Sequence, residues 1–135
     1  MFSGWYFRES LTDREADARK SIEIMHAWSY KNTAVIGSDA ILAAGIYGYK
    51  VANAAEIVPA TYPGWQRQDI EQMQRWLGTV WYPVIKDLAD ANWGTCCIPT
   101  TLSIGVFCDD LAIFTNGVYA YEYGGTGKDL GGVAQ

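Results

Sequence analysis

Apolar residues recur at three- and four-residue intervals through most of this 135-residue chain. That is the spacing of one helical face, and the strict alternation expected of half-buried strands is scarce. The pattern predicts five helices. The first covers residues 12–28, with Thr12 or Asp13 placed to cap it and Glu15 completing a capping box with Thr12. Ala16, Ile22 and Met25 fall near one face of it, with His26 or Trp28 beside them. The second covers 40–57, starts at Ser38 or Asp39, and is rich in Ala and Gly. Its interior Gly45 and Gly48 each cost about 1 kcal/mol relative to Ala, so they imply close approach of a neighbouring helix or a ligand. Pro59 and the Tyr62-Pro63-Gly64 turn are expected to end it.

The third helix, 67–82, has the clearest amphipathic pattern: Ile70, Met73, Leu77, Val80 and Val84 on one side, with Gln, Arg and Glu opposite. Pro83 fits there only as a kink or an end. A fourth helix is predicted over 96–107, which places Pro99 in or near its first turn. A fifth, 110–121, begins at Asp109 or Asp110, and a glycine-rich stretch from Gly124 to Gly132 follows. Antiparallel helices joined by short loops suit a bundle or a helical toroid equally well. No strict repeat at a fixed period is present.

Composition narrows the function classes. Half the residues are hydrophobic, as in a globular domain rather than a disordered chain. The net charge of −5 and the lack of a Lys/Arg run argue against nucleic acid as a partner. No run of ~18 apolar residues predicts a membrane span. Cys96, Cys97 and Cys108 have no nearby His and no zinc-ligand spacing, so they read as small buried thiols, with no metal or cofactor expected. Six Trp and nine Tyr are many for this length. Their broad apolar faces and polar tips suit both a helical core and a sugar-binding cleft.

Several groups are candidates for chemistry. In Asn92-Trp93-Gly94-Thr95, Asn92 or Thr95 could cap the fourth helix, or the Asn92 amide and the helix N-terminus could stabilise an oxyanion. Tyr49, Asn53 and Glu56 are spaced four and three apart, on one face of the second helix, where they could contact sugar hydroxyls or simply be solvated. His26, the single histidine, reads as structural. Tyr119, Tyr121 and Tyr123 cluster near the end of the fifth helix. Gly-Gly-Thr-Gly-Lys-Asp lacks the spacing of a phosphate loop.

The ordered series resembles the alginate lyase family of polysaccharide lyases. It runs through Ser38-Asp39-Ala40-x-Leu42-Ala43-Ala44-Gly45-Ile46-Tyr47-Gly48, Ala52-Asn53-Ala54-Ala55-Glu56-Ile57 and Tyr62-x-Gly64-Trp65. It continues through Trp81-Tyr82-Pro83-Val84-Ile85-Lys86-Asp87, Asn92-Trp93-Gly94-Thr95 and Ile104-Gly105-Val106-Phe107-Cys108-Asp109-Asp110. The resemblance covers residues 15–123. It implies a single, partial, mostly α domain over 1–135, with antiparallel helix pairs forming part of an incomplete (α/α) toroid. It further implies an acidic polysaccharide as partner, β-elimination as the reaction, and an extracellular setting. In that reaction one group neutralises the uronate carboxylate, a base removes the C5 proton, and an acid protonates the leaving oxygen.

By the resemblance Asn92 would be the neutraliser. Tyr49, Asn53, Glu56, Trp93 and Tyr119 would bind substrate. Relatives often carry a His directly after that Asn, where this chain has Trp93. An exposed edge of a partial toroid would favour self-association. The alternatives are a non-catalytic carbohydrate-binding helical domain, a helical structural protein whose aromatics are core, and a glycoside hydrolase. The last would need a carboxylate pair across a cleft, for which Glu56 with Asp109 is the pair to test.

Overall fold

The computed structural model describes residues 14–87 and 91–123, and these are helical nearly throughout. The helices are α1 (Arg14–Ser29), α2 (Ala40–Thr61), α3 (Arg67–Trp76), α4 (Tyr82–Ile85), α5 (Ala91–Phe107) and α6 (Leu111–Tyr123), with a π-helical turn, Leu77–Trp81, joining α3 to α4. The predicted cap at Thr12 or Asp13 and the glycine-rich stretch lie outside the described residues.

Proline placement departs from the expectation twice. α2 continues through Pro59 to Thr61, and Pro99 sits well inside α5 rather than in its first turn. Pro59 forfeits its own N–H bond, and α2 runs only two residues beyond it, to Thr61. Pro99 lies on an exposed side of α5, where its ring does not disturb the packed side. Pro83 behaves as predicted for an interruption. The π turn ends with Tyr82 N–H bonded to Leu77 O, five residues back. One extra residue in that turn rotates the apolar face, so Ile85 is fully buried while Val84 only packs against the core's edge.

Helix directions follow from which residues meet. On α2 and α5, Cys97 Sγ reaches Ile41 O, and Thr100 Oγ1 meets both Gly45 O and Tyr49 N. Residue numbers rise together, so the two helices are parallel. α1 and α3 are parallel by the same logic: His26 meets Trp65, Ser29 meets Gln72, and Asn32, just beyond α1, meets Trp76. α5 and α6 are antiparallel, since Gly105 lies against Phe114 and Gly117 against Leu102. The core between these sets is Met25, Val51, Val58, Met73, Trp76, Leu77, Ile85, Ile104 and Phe107.

The helix contacts are made by small residues. A Cβ on Gly45 would lie 2.9 Å from the Cys96 backbone, and one on Gly48 would lie 2.4 Å from Thr100 Cγ2. A Cβ on Gly105 would lie 2.6 Å from Phe114 N. The interior glycines of α2 therefore mark a neighbouring helix, one of the two readings their cost suggested. Thr100 uses that proximity. Its hydroxyl donates to Gly45 O at 2.8 Å and accepts from Tyr49 N–H at 2.9 Å.

Candidate functional site

Each of α2, α5 and α6 keeps one side free of the core. On α2 the free side carries Ile46, Tyr49, Asn53 and Glu56; on α5 it carries Asn92, Thr95, Pro99, Ser103 and Val106. On α6 it is an apolar stripe at helical spacing, Leu111, Phe114, Val118 and Tyr121. With 3.6 residues per turn, the α2 stripe lies about 110° round from the side facing α5, and the α5 stripe about 100° in the opposite sense. Opposite senses in parallel neighbours put both stripes on one side of the layer. The antiparallel α6 needs the same sense as α5 to do likewise, and its stripe has it. The three stripes thus form one open face, polar on α2 and apolar on α6.

Asn92 does not cap α5. The helix begins at Ala91, which has a positive φ of 53°, and Thr95 Oγ1 bonds back to Ala91 O at 3.3 Å. Both the Asn92 and Thr95 capping expectations are thereby corrected. The exposed Asn92 amide makes no hydrogen bond with the described residues. Asn53 and Glu56 are also exposed and make none, while Tyr49 is half-buried beside them. The fifth helix does start as expected: Asp110 Oδ1 accepts from Ala112 N and Ile113 N, satisfying two of its first donors.

The predicted site residues are only partly brought together. Tyr49 is level with Thr100, eight residues past Asn92 on α5, or about 12 Å at 1.5 Å per residue. Asn53 lies a further turn away. Tyr49, Asn53 and Glu56 form one group, and Asn92 stands apart at the other end of the same face. The helix register brings Glu56 and Asp109 toward one end of it. Trp93 is half-buried and lies on the side of α5 that carries Cys97 and Thr100 against α2. Tyr119 projects from the far flank of α6, its ring 4.9 Å from that of Tyr123, away from the α2 group.

One polar cluster among the described residues is one the sequence reading did not assemble. Trp65 Nε1 donates to His26 Nε2 at 2.8 Å, and Asp69 Oδ2 lies 3.6 Å from that nitrogen. Tyr30 donates its hydroxyl to Asp69 Oδ1 at 2.6 Å, and this bond raises the Tyr30 pKa. The side-chain partner of His26 is Trp65, 39 residues on in the sequence. The signal available in the sequence was the Tyr62-Pro63-Gly64 turn, which delivers Trp65 to α1. This cluster belongs to the α1–α3 pair and not to the open face.

The thiols Cys96 and Cys108 are half-buried and Cys97 is buried. Cys108 donates to Gln74 O at 3.6 Å while Gln74 Nε2 donates to Phe107 O at 2.8 Å. Burial, with the Asp110 charge adding to it, pushes the Cys108 thiol up from 9.0 to about 11. Among the described residues no group of three or more His, Cys, Asp or Glu side chains could hold a metal ion. Among them, too, no helix is long and apolar enough to cross a membrane.

Compared with known proteins, residues 9–131 match the family model described as Alginate lyase. No curated protein and no solved structure matches.

Proposed function

This chain belongs to the alginate lyase family, and on that premise we propose that its α2–α5–α6 face takes a uronate-containing polysaccharide for β-elimination. The observation that carries the reading is the free polar group Tyr49, Asn53 and Glu56 on a face continued by exposed aromatics. Polar groups without protein partners are ready to bond sugar hydroxyls, and aromatic rings supply flat contacts for sugar C–H faces. The length of the face fits a polymer: one ring cannot touch Asn53 and Asn92 at once. The helix pairs form an arc of an (α/α) toroid, with the free sides of α2 and α5 on its inner wall. The setting is extracellular, where such polymers occur.

Asn92 is assigned as the neutraliser of the uronate carboxylate. Its amide, without a bond to the described residues, can donate to that group and favour the enolate-like species formed when the C5 proton leaves. Incubating the folded protein with alginate, glucuronan and chondroitin tests this by absorbance of the unsaturated uronate product. The expected result is a rise that Asn92→Ala abolishes. A rise unchanged in Asn92→Ala would remove the role of Asn92.

A second reading, sugar binding without turnover, is favoured by one observation. His26 is engaged by Trp65 and Asp69 in the other helix pair and stands at no bond that a ligand on this face would present. Oligosaccharide binding with no absorbance change on any polymer would establish that reading instead.

A further inference from the structure

Charge on the open face is unevenly provided for. Among the described residues, Arg19, Lys20, Arg67 and Lys86 each face a carboxylate, respectively Glu15, Glu23, Glu71 and Asp87. Arg75 donates to Gln72. Lys31 has no carboxylate partner but lies in the turn after α1, in the other helix pair. Lys50, on α2, also has none, and it adjoins the Tyr49–Asn53–Glu56 group. It is held instead by aromatic rings: its Nζ is 5.5 Å from the Tyr47 ring centroid and 5.7 Å from that of Tyr49.

A ring quadrupole attracts an ammonium without supplying a counter-charge. The two rings also limit a side chain that otherwise loses much rotamer freedom when it is fixed. The cation is therefore pre-positioned and uncommitted, a condition that favours tight binding of an anion. Asn53, three residues on and exposed, offers a neutral donor nearby. In a chain of net charge −5, a polyanion needs such a local cation to overcome the general repulsion.

We propose that Lys50, seated between Tyr47 and Tyr49, is a second carboxylate-binding subsite of the open face, separate from Asn92. It selects acidic over neutral sugars. Tyr49 supports the sugar ring while the ammonium bonds the carboxylate. The assignment rests on the polysaccharide reading of the face, deepens it, and adds a point of carboxylate recognition apart from the one assigned to Asn92. Lys50 is a specificity residue here, acting on affinity, while Asn92 remains the group assigned to the reaction.

The test is a calorimetric comparison of short alginate oligosaccharides with the same oligosaccharides whose carboxyls have been reduced to alcohols. Wild type, Lys50→Met and Lys50→Arg are used, with far-UV circular dichroism confirming the fold of each. The expected result is that wild type binds the acidic form about tenfold more tightly than the reduced form, the scale of one charge-assisted bond. Lys50→Met should lose most of that preference, keeping only what the Asn92 contact supplies, and Lys50→Arg should keep most of it. A preference undiminished in Lys50→Met overturns the assignment, as does equal wild-type binding of both forms; either result leaves the sugar-binding face standing. Binding of neither form overturns the assignment and the face together.

Discussion

The two sides of α2 and α5 are built on opposite rules. Where they face each other, glycine, alanine and one threonine bring the backbones close, and Thr100 bonds inside the neighbouring helix. Where they face outward, Tyr49, Asn53, Glu56 and Asn92 stand half or fully exposed, and the last three have no bond to the described residues. The difference teaches that one helix can spend its small residues on architecture and its polar ones on a ligand. Substitutions on the first side should change stability, and those on the second should change affinity.

The largest effect is expected at Gly105. Replacing a helical glycine with alanine ordinarily gains about 1 kcal/mol, but a Cβ here would meet the Phe114 backbone, which cannot swing aside. Gly105→Ala should therefore lose stability, by about 1–3 kcal/mol, read from urea denaturation midpoints. A gain would show that α6 is not seated against α5 as described.

Thr100→Val comes next. Valine fills a similar volume but removes the hydroxyl that accepts from Tyr49 N–H and donates to Gly45 O. The expected loss is about 1–3 kcal/mol. A neutral result would mean that the α2 ladder closes on itself once the hydroxyl is gone.

Asn53→Ala should reverse the pattern. Its amide is exposed and unbonded, so stability should move by less than about 0.5 kcal/mol. Affinity for an oligosaccharide should fall about two- to tenfold, as for one hydrogen bond. If stability falls and affinity does not, the division between the two sides is wrong.

Much of this contrast was legible in the sequence, and its limits have physical causes. The interior glycines of α2 signalled close approach, and periodicity placed Tyr49, Asn53 and Glu56 together. Helix extents were harder. Pro59 and Pro99 were read as boundaries because proline removes a donor, yet α2 continues two residues past Pro59 and Pro99 is tolerated on an exposed side of α5. Asn92 was read as a possible cap because helix starts are set by backbone dihedrals, which composition does not reveal. The Val84 and Ile85 exchange came from one extra residue in a π turn, which a regular 3.6-residue period cannot anticipate. The His26–Trp65 bond spans 39 positions, beyond any local pattern.

The smallest expected effect is at Cys108. Its folded pKa is about 11, above the usual thiol value of ~8.5. The thiol form is thus the one folding favours. Its contribution to stability is present below that unfolded value and is lost as the pH rises through about 11. Alkylation of Cys108, followed by mass spectrometry, should stay slow at pH 8 and accelerate only toward pH 11. Fast labelling at pH 8 would show that the Gln74 corner opens readily.

The central claim is that ligand binds the outward side of α2, α5 and α6. Backbone amide shifts recorded while an alginate oligosaccharide is titrated into the labelled protein test it most directly. The account predicts perturbations at Tyr49, Lys50, Asn53, Ser103 and Val106, with His26, Trp65 and Asp69 unmoved. Perturbations centred instead on His26, Tyr30 and Trp65 would contradict it and move the site to the α1–α3 pair.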